Sequence, residues 1–325
     1  MSVDLSIIVP LKNEEANLSN LWTRLEPVLR GLGLGFEVLL INDGSTDRTL
    51  ARALEMAQAI PELKIIDLSR NFGKEAALAC GFSHARGAAV VSMDGDLQHP
   101  PEMLPEMVAR WREGYEMVYA VRRSREYQGL LDRAFTRAFY WLFEHLSAVK
   151  LPPEAGDFRL LDRKVVDALN ALPERNRFMK GMYAWVGFRT LGIPFTVEHR
   201  SGGTSSFSPL KKLGFAFDAL TAFSNLPLRV WSVVGAGISL AAFLYIVVRI
   251  IRVMVYGLDV PGYESLLAVM LFLGGMQLLS LGILGDYLAR VFEEAKGRPL
   301  YVVRERFGFT EDKQKRATRR VRKVA

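Results

Sequence analysis

The sequence predicts an α/β protein with a mostly parallel sheet, joined to a C-terminal membrane hairpin. Three observations carry that class. Short apolar runs alternate with helical patterns from Leu5 to Val121. Polar loops follow the apolar runs, where open α/β sheets place their ligands. Near the C-terminus, Val230 through Val248 and Ser265 through Gly285 contain no charged residue, each about the 20 residues needed to cross a bilayer.

Taken in order, Leu5–Pro10 reads as a buried strand closed by proline. Asn13-Glu14-Glu15 stands where it can cap and charge a helix, on which Leu18, Leu21, Trp22, Leu25, Val28 and Leu29 fall at helical spacing. Gly31, Gly33 and Gly35 follow a helix and precede a strand, the reverse of a dinucleotide fingerprint, and read as a plain loop. Phe36–Ile41 is the second strand, leading through Asn42-Asp43-Gly44-Ser45-Thr46-Asp47 into a helix carrying Leu50, Ala51 and Leu54. Leu63–Leu68 is the third, followed by Ser69-Arg70-Asn71-Phe72-Gly73-Lys74 and a helix of small residues.

Ala88–Met93 is a fourth strand and runs into Asp94-Gly95-Asp96-Leu97-Gln98, after which His99-Pro100-Pro101 interrupts regular structure. Alternate residues of an extended chain share a face, so Asp94, Asp96 and Gln98 present three oxygen donors together. Such a set suits a hard divalent cation that also binds substrate phosphates. Alone, the stretch reads equally well as a solvated acidic turn. The loops after Pro10, Ile41 and Leu68 fall at the same edge of the sheet, and their convergence favours a site.

Met117–Val121 is a further strand, followed by Arg122 and by a predicted amphipathic helix from Leu130 to Phe143 that carries Arg137. Arginines beside a carboxylate-lined crevice suit phosphate groups. Asp157 follows Gly156 ahead of a helix with Val165, Val166 and Leu169. Val197–Arg200 reads as a last strand, Ser201–Ser206 as a polar glycine-rich loop, and 209–228 as an interfacial amphipathic helix. The organisation expected is a cytoplasmic catalytic domain at 1–208, that interfacial helix, two transmembrane helices within 229–289 (about 230–252 and 264–286), and a basic cytoplasmic tail at 290–325.

Composition agrees. Of the 325 residues 50% are hydrophobic, which points to a membrane portion. The net charge of +7 is crowded into the C-terminus, where it suits anionic lipid on the cytoplasmic side. Two spans keep both ends of the chain on that side. Cys80 is the only cysteine, which excludes an intrachain disulfide and a cysteine-ligated metal. The N-terminus lacks the pattern of a signal peptide.

Together these runs resemble the family 2 glycosyltransferases of GT-A fold, in the branch that uses polyprenyl phosphate: dolichol-phosphate mannose synthases and bactoprenol (undecaprenyl-phosphate) glucosyltransferases. The matching motifs are Ile8-Val9-Pro10-Leu11-Lys12-Asn13-Glu14-Glu15, Asn42–Asp47, Ser69–Lys74, Asp94–Pro101 and Gly156-Asp157-Phe158-Arg159-Leu160-Leu161-Asp162-Arg163, with the hairpin around Asp259-Val260-Pro261-Gly262-Tyr263. The resemblance implies that Pro10, Leu11, Asn13, Glu14, Asp43, Lys74, Asp94 and Gly95 bind a nucleotide-sugar, with UDP-glucose the first expectation. It implies that Asp96 and Gln98 ligate Mg²⁺ or Mn²⁺ on the diphosphate, and that Asp157 is the candidate catalytic base. Since a lipid phosphate is already ionised at neutral pH, Asp157 is equally suited to orient the acceptor or to stabilise charge on the sugar. Arg122, Arg137, Arg200 and Ser205 are the choices for the acceptor phosphate. Many relatives carry a lysine where this chain has Ser206, so that contact is absent or falls to Lys211 or Lys212.

The implied reaction is inverting transfer of one sugar to undecaprenyl phosphate at the inner membrane. No nucleic-acid partner is expected; a homo-oligomer is left open. Rivals are the same reaction with an aminoarabinose-type or mannose donor, a processive synthase, and a non-catalytic scaffold. Processive enzymes use Gln-x-x-Arg-Trp, and Arg110-Trp111 has Met107 where that glutamine would be. A scaffold has no need of the Asp94, Asp96 and Gln98 set.

Overall fold

The computed structural model describes residues 3–122, 155–175, 177–195, 226–256 and 262–309. Contacts divide the chain into two units, one of residues 1–140, 151–206 and 299–325, the other of 141–150 and 207–298.

The first unit is built on an eight-stranded sheet. Its strands are β1 (Leu5–Leu11), β2 (Phe36–Asn42), β3 (Leu63–Leu68), β4 (Ala89–Ser92), β5 (Met117–Arg122), β6 (Ala155–Asp162), β7 (Thr190–Phe195) and β8 (Val303–Phe307). They lie in the order β7-β5-β6-β4-β1-β2-β3-β8. The central β4-β1-β2-β3 block is parallel, as the alternation of strand and helix requires. Helices α1 (Leu18–Gly31), α2 (Thr49–Ala59), α3 (Lys74–His84) and α4 (Leu104–Arg112) make the crossovers and cover the sheet. Because both faces are covered, β1 is buried along nearly its whole length, with Leu5, Ile7, Ile8 and Val9 at 0% exposure. Helix α3 approaches β1 closely because Gly81 offers no Cβ to collide with Ile8.

Beyond β4 the sheet departs from the expectation. β6 enters antiparallel to both β4 and β5, and β7 pairs parallel with β5. The Asp157 segment is therefore a strand, an element the sequence reading did not assign ahead of its helix. Its Arg159 defeats an apolar-run pattern because an arginine occupies an inward position. Helices α5 (Arg163–Ala171) and α6 (Met179–Trp185) follow β6. The expected helix 130–143, the strand 197–200, the loop 201–206 and the interfacial helix 209–228 lie outside the described residues.

The second unit contains two long helices, α7 (Leu226–Tyr256) and α8 (Tyr263–Ala295), which agree with the expected hairpin and touch each other. In α8 the stretch Val269–Ala295 is long and apolar enough to cross a membrane, and none of it is buried. Apolar side chains such as Leu240, Phe243, Leu271 and Leu278 point outward, the reverse of a water-soluble helix. Among the described residues of α7 a shorter apolar run, Val234–Tyr245, stands out.

The 290–325 tail is corrected. Helix α8 continues to Ala295, and Val303–Phe307 returns to the first unit as β8, antiparallel to β3. The basic tail expectation covered Arg304, Glu305 and Arg306 without assigning them a strand. They are the exposed residues of an edge strand, where charge discourages unwanted pairing. Val303 and Phe307 are its half-buried anchors, Phe307 packing on the core. The part from residue 310 onward lies outside the described residues.

Candidate active site

The loops after β1, β2, β3 and β4 meet at one end of the parallel block and enclose a cleft of about 420 Å³. Its walls are Pro10, Leu11, Lys12, Glu14, Asp43, Asn71, Gly73, Lys74, Asp94, Gly95 and Asp96. Seven of the eight residues expected to bind a nucleotide-sugar line it, together with the expected metal ligand Asp96.

The wall is stitched by reciprocal hydrogen bonds between loops. Asn13 and Glu14 donate their amides to Ser45 Oγ (3.1 Å) and Thr49 Oγ1 (2.8 Å). In return the amides of Thr46 and Arg48 donate to Asn13 Oδ1 (2.9 Å) and Glu15 Oε2 (2.8 Å). Asn13 through Glu15 is thus a loop-to-loop tie and does not cap α1, which begins later, after Asn17. Asn13 itself is the eighth residue, bracing the wall from behind. Asp43, 3% exposed, accepts the amides of Phe72 at 2.7 Å and Gly73 at 2.9 Å, one on each carboxylate oxygen. It fixes the loop that carries Asn71 and Lys74.

At the floor the start of α3, the loop after β4 and strand β6 contribute charge. Lys74 Nζ lies 2.6 Å from Asp94 Oδ1 and 2.8 Å from Asp157 Oδ2. Burial alone would lower the Lys74 pKa, but Asp94 and then Asp157 outweigh it and hold the ammonium above its ordinary range. Burial alone would likewise raise Asp157; Lys74, Lys180 and Arg159 overcome it and keep that carboxyl below the usual range. The peptide bearing Asp157 is held on both sides. Ser92 Oγ donates to the Asp157 carbonyl (2.7 Å) and Arg159 Nε to the Gly156 carbonyl (2.9 Å). Arg159 is 2% exposed, with its guanidinium 4.3 Å from the Tyr183 ring centre and 5.3 Å from that of Tyr119.

The acidic turn is held in an uncommon shape. Leu97 has φ +62°, and Asn13 with φ +57° is the other non-glycine in the left-handed region among the described residues. His99 is buried, stacks on Phe158 at 5.2 Å, and accepts the Asp94 amide on Nδ1 (3.1 Å). Burial lowers the pKa of His99, which keeps the ring neutral and able to accept. Gln98 does not line the cleft; its amide donates to Asp96 Oδ1 (3.2 Å). Glu14 has its pKa raised, first by burial, against a hydrogen bond from Asn17 and with Asp96, Asp94 and Asp47 adding to the rise.

Of the residues expected to hold the acceptor phosphate, Arg122 ends β5, with its Cα registered against Phe195 of β7. Arg137, Arg200 and Ser205 lie outside the described residues. The sequence reading did not single out Lys12, Asn71, Glu75, His99, Arg159 or Lys180. Asn71 and His99 sat inside recognised motifs and were within reach; Glu75 and Lys180 meet Asp157 only through the tertiary fold.

Residues 6–169 match the model for glycosyl transferase family 2, and residues 226–291 that for the GtrB C-terminal hairpin. The chain belongs to glycosyl transferase family 2. It is a glycosyltransferase, and its sheet is that of the GT-A fold. A glycosyltransferase of Synechocystis sp. is 47% identical over 95% of this chain and 97% of its own length. The bactoprenol glucosyl transferase of Shigella phage SfII is 39% identical over 93% of this chain and 97% of its own. A prophage bactoprenol glucosyl transferase homolog of Escherichia coli is 37% identical over 92% and 98%.

Proposed function

We propose that the protein transfers a single glucosyl unit, with inversion, from UDP-glucose to undecaprenyl phosphate at the cytoplasmic face of the membrane, assisted by Mg²⁺ or Mn²⁺. The observation that carries this reading is a cleft at the end of the sheet lined by Lys74, Asp94 and Asp96, in which Lys74 bridges Asp94 to Asp157 of β6. The names of the phage and bacterial relatives support bactoprenol as acceptor and glucose as sugar. The hairpin supports a two-span anchor with both flanking segments cytoplasmic, which brings a water-facing cleft to a lipid-borne phosphate.

Asp94 and Asp96 both line the cleft, and among the described residues no cluster of three His, Cys, Asp or Glu stands ready to hold an ion alone. The lining fits a cation completed by substrate phosphates and held by Asp96 with Asp94 beside it; Gln98, the other ligand assigned to it, stands in the same turn outside the cleft lining, its amide on Asp96 Oδ1. Such an ion supplies Lewis-acid neutralisation of the charge left on the nucleoside diphosphate. The remaining steps belong to the chain. Pro10, Leu11, Glu14 and Gly95 shape the wall on which the nucleotide lies, and Asp43 and Asn13 hold that wall in place. An oxygen of the acceptor phosphate forms the new bond to the sugar's C1 as the bond from C1 to the diphosphate oxygen breaks, and the electron pair leaves with UDP. The acceptor brings no proton that must be removed, and Asp157 is kept ionised by its lysine neighbours. Its role is therefore to face the developing positive charge on the sugar and to orient the acceptor, rather than to act as a base. Arg122, Arg137, Arg200 and Ser205 are assigned to the acceptor phosphate.

The test is transfer of radiolabelled sugar from UDP-glucose to undecaprenyl phosphate by purified protein, with metal and with chelator. Labelled lipid that is lost on chelation and in Asp96→Ala is the expected result. Labelling that survives chelation removes the metal from the mechanism. Labelling with another nucleotide-sugar but not with UDP-glucose changes the donor.

A further inference from the structure

We infer that Lys74, by bridging Asp94 and Asp157, competes with the divalent cation for Asp94, so that the donor and its metal must displace it and thereby free Asp157 for the acceptor. The inference rests on the function proposed above and adds an order of events to it.

The geometry is a single ammonium shared by two carboxylates, one in the loop after β4 and one on β6, at 2.6 Å from Asp94 and 2.8 Å from Asp157. A divalent ion beside Asp94 would sit within a few ångströms of that ammonium, and like charges at such distances repel strongly in a partly desolvated cleft. One of the two must move, and the lysine is built to. It opens α3 immediately after Gly73, and its side chain is 40% exposed on a flexible stem. Its backbone is not free to follow, because Asp43 holds the amides of Phe72 and Gly73. Binding therefore swings the side chain alone, and the donor's diphosphate offers the ammonium new anionic partners. Asp157 then loses its closest counter-charge when the sugar arrives, which is when a bare carboxylate is most useful. Lys12 provides an internal control, since it lines the same cleft yet makes no ion pair with a described residue.

The experiment measures binding of Mn²⁺ alone to the full-length protein, read from the free-ion paramagnetic resonance signal, before and after adding UDP. Removing the bridging charge in Lys74→Met should tighten Mn²⁺ binding without nucleotide by about tenfold or more, while Lys74→Arg and Lys12→Met stay within about threefold of the parent. Lys74→Gln should repeat the Lys74→Met result and guards against a folding defect in one variant. Equal affinity in parent and both neutral Lys74 variants would overturn the inference. So would an equal gain in Lys12→Met, which would reduce the effect to general charge. The UDP arm tests the underlying reading separately: if the parent takes up no Mn²⁺ even with UDP, the metal-assisted function fails, whatever Lys74 does.

Discussion

Strand β8 makes the catalytic unit depend on a segment that follows the membrane hairpin, and Arg304→Ala measures that dependence. Arg304 donates Nη1 to Asp67 Oδ2 (3.3 Å) and Nη2 to the Ser69 carbonyl (2.6 Å). Asp67 is buried, its side chain 3% exposed, and it also accepts Asn42 Nδ2 at 2.7 Å. A hydrogen bond to a charged group contributes about 1.5–3 kcal/mol when well shielded. Arg304 is 57% exposed, so screening reduces the pair of contacts to roughly 1–2 kcal/mol in total. For a domain of this size each kcal/mol moves the melting temperature by about 2–4 °C, giving a fall of roughly 2–8 °C. Scanning calorimetry of the detergent-solubilised full chain reads it directly. A kinetic signature should accompany the thermal one. Ser69 begins the loop that carries Asn71, Gly73 and Lys74 into the cleft, so KM for the nucleotide-sugar should rise more than kcat falls. Arg304→Lys, which keeps a charge but not the two-pronged donor, should fall between. A melting temperature within about 1 °C of the parent, with unchanged KM, would refute the reasoning, because β8 would then be an ornament on the sheet edge.

Two further outcomes follow from the floor of the cleft. On the proposed function Asp157→Asn should lower kcat by about a hundredfold or more, while UDP affinity, measured by calorimetry, should not fall, since the change removes charge assigned to face the sugar and releases Lys74 from one of its two carboxylates. Glu75 supplies a pH signature. Its carboxyl is pushed up to about 7, first by burial and then by Asp157, and its Oε2 is buried with no hydrogen-bond partner among the described residues. An acid whose pKa is raised on folding binds its proton more tightly in the folded chain, so the stability it contributes is lost as pH rises from the unfolded value of 4.5 through about 7. Glu75→Gln should therefore melt higher than the parent at about pH 8 and no higher at about pH 5. A pH-independent difference between the two would place Glu75 in a different environment.

How much of this was legible beforehand depends on where each signal was stored. The strands β1 to β4 and the loops after them were visible because their information is local: apolar runs of strand length, closed by Pro10, by Asn42-Asp43-Gly44, by Ser69 and by Asp94-Gly95 in turn. The same four loops build most of the cleft, so its wall could be read residue by residue. β6 and β8 were not visible, because each carries its stabilising contacts in residues that break the local pattern. Arg159 is an inward-facing cation satisfied by two tyrosines and a carbonyl, and the charged face of β8 is satisfied by Asp67 and Ser69 far back in the chain. The two tyrosines, like Asp67 and Ser69, lie well outside any window of ten residues around the cation they satisfy. Lys74 shows the same limit at the centre of the chemistry. Its place in a motif marks it as a binding residue, but its pairing with Asp157 spans 83 residues and exists only once β6 has entered antiparallel beside β4. The positions that defy local rules, Asn13 and Leu97 in left-handed backbone and Arg159 in the core, border the cleft or support Asp157. Conformations that local energetics disfavour survive where the surroundings over-determine them, and here the surroundings are the cross-braced walls of the cleft to which the proposed function assigns the nucleotide-sugar.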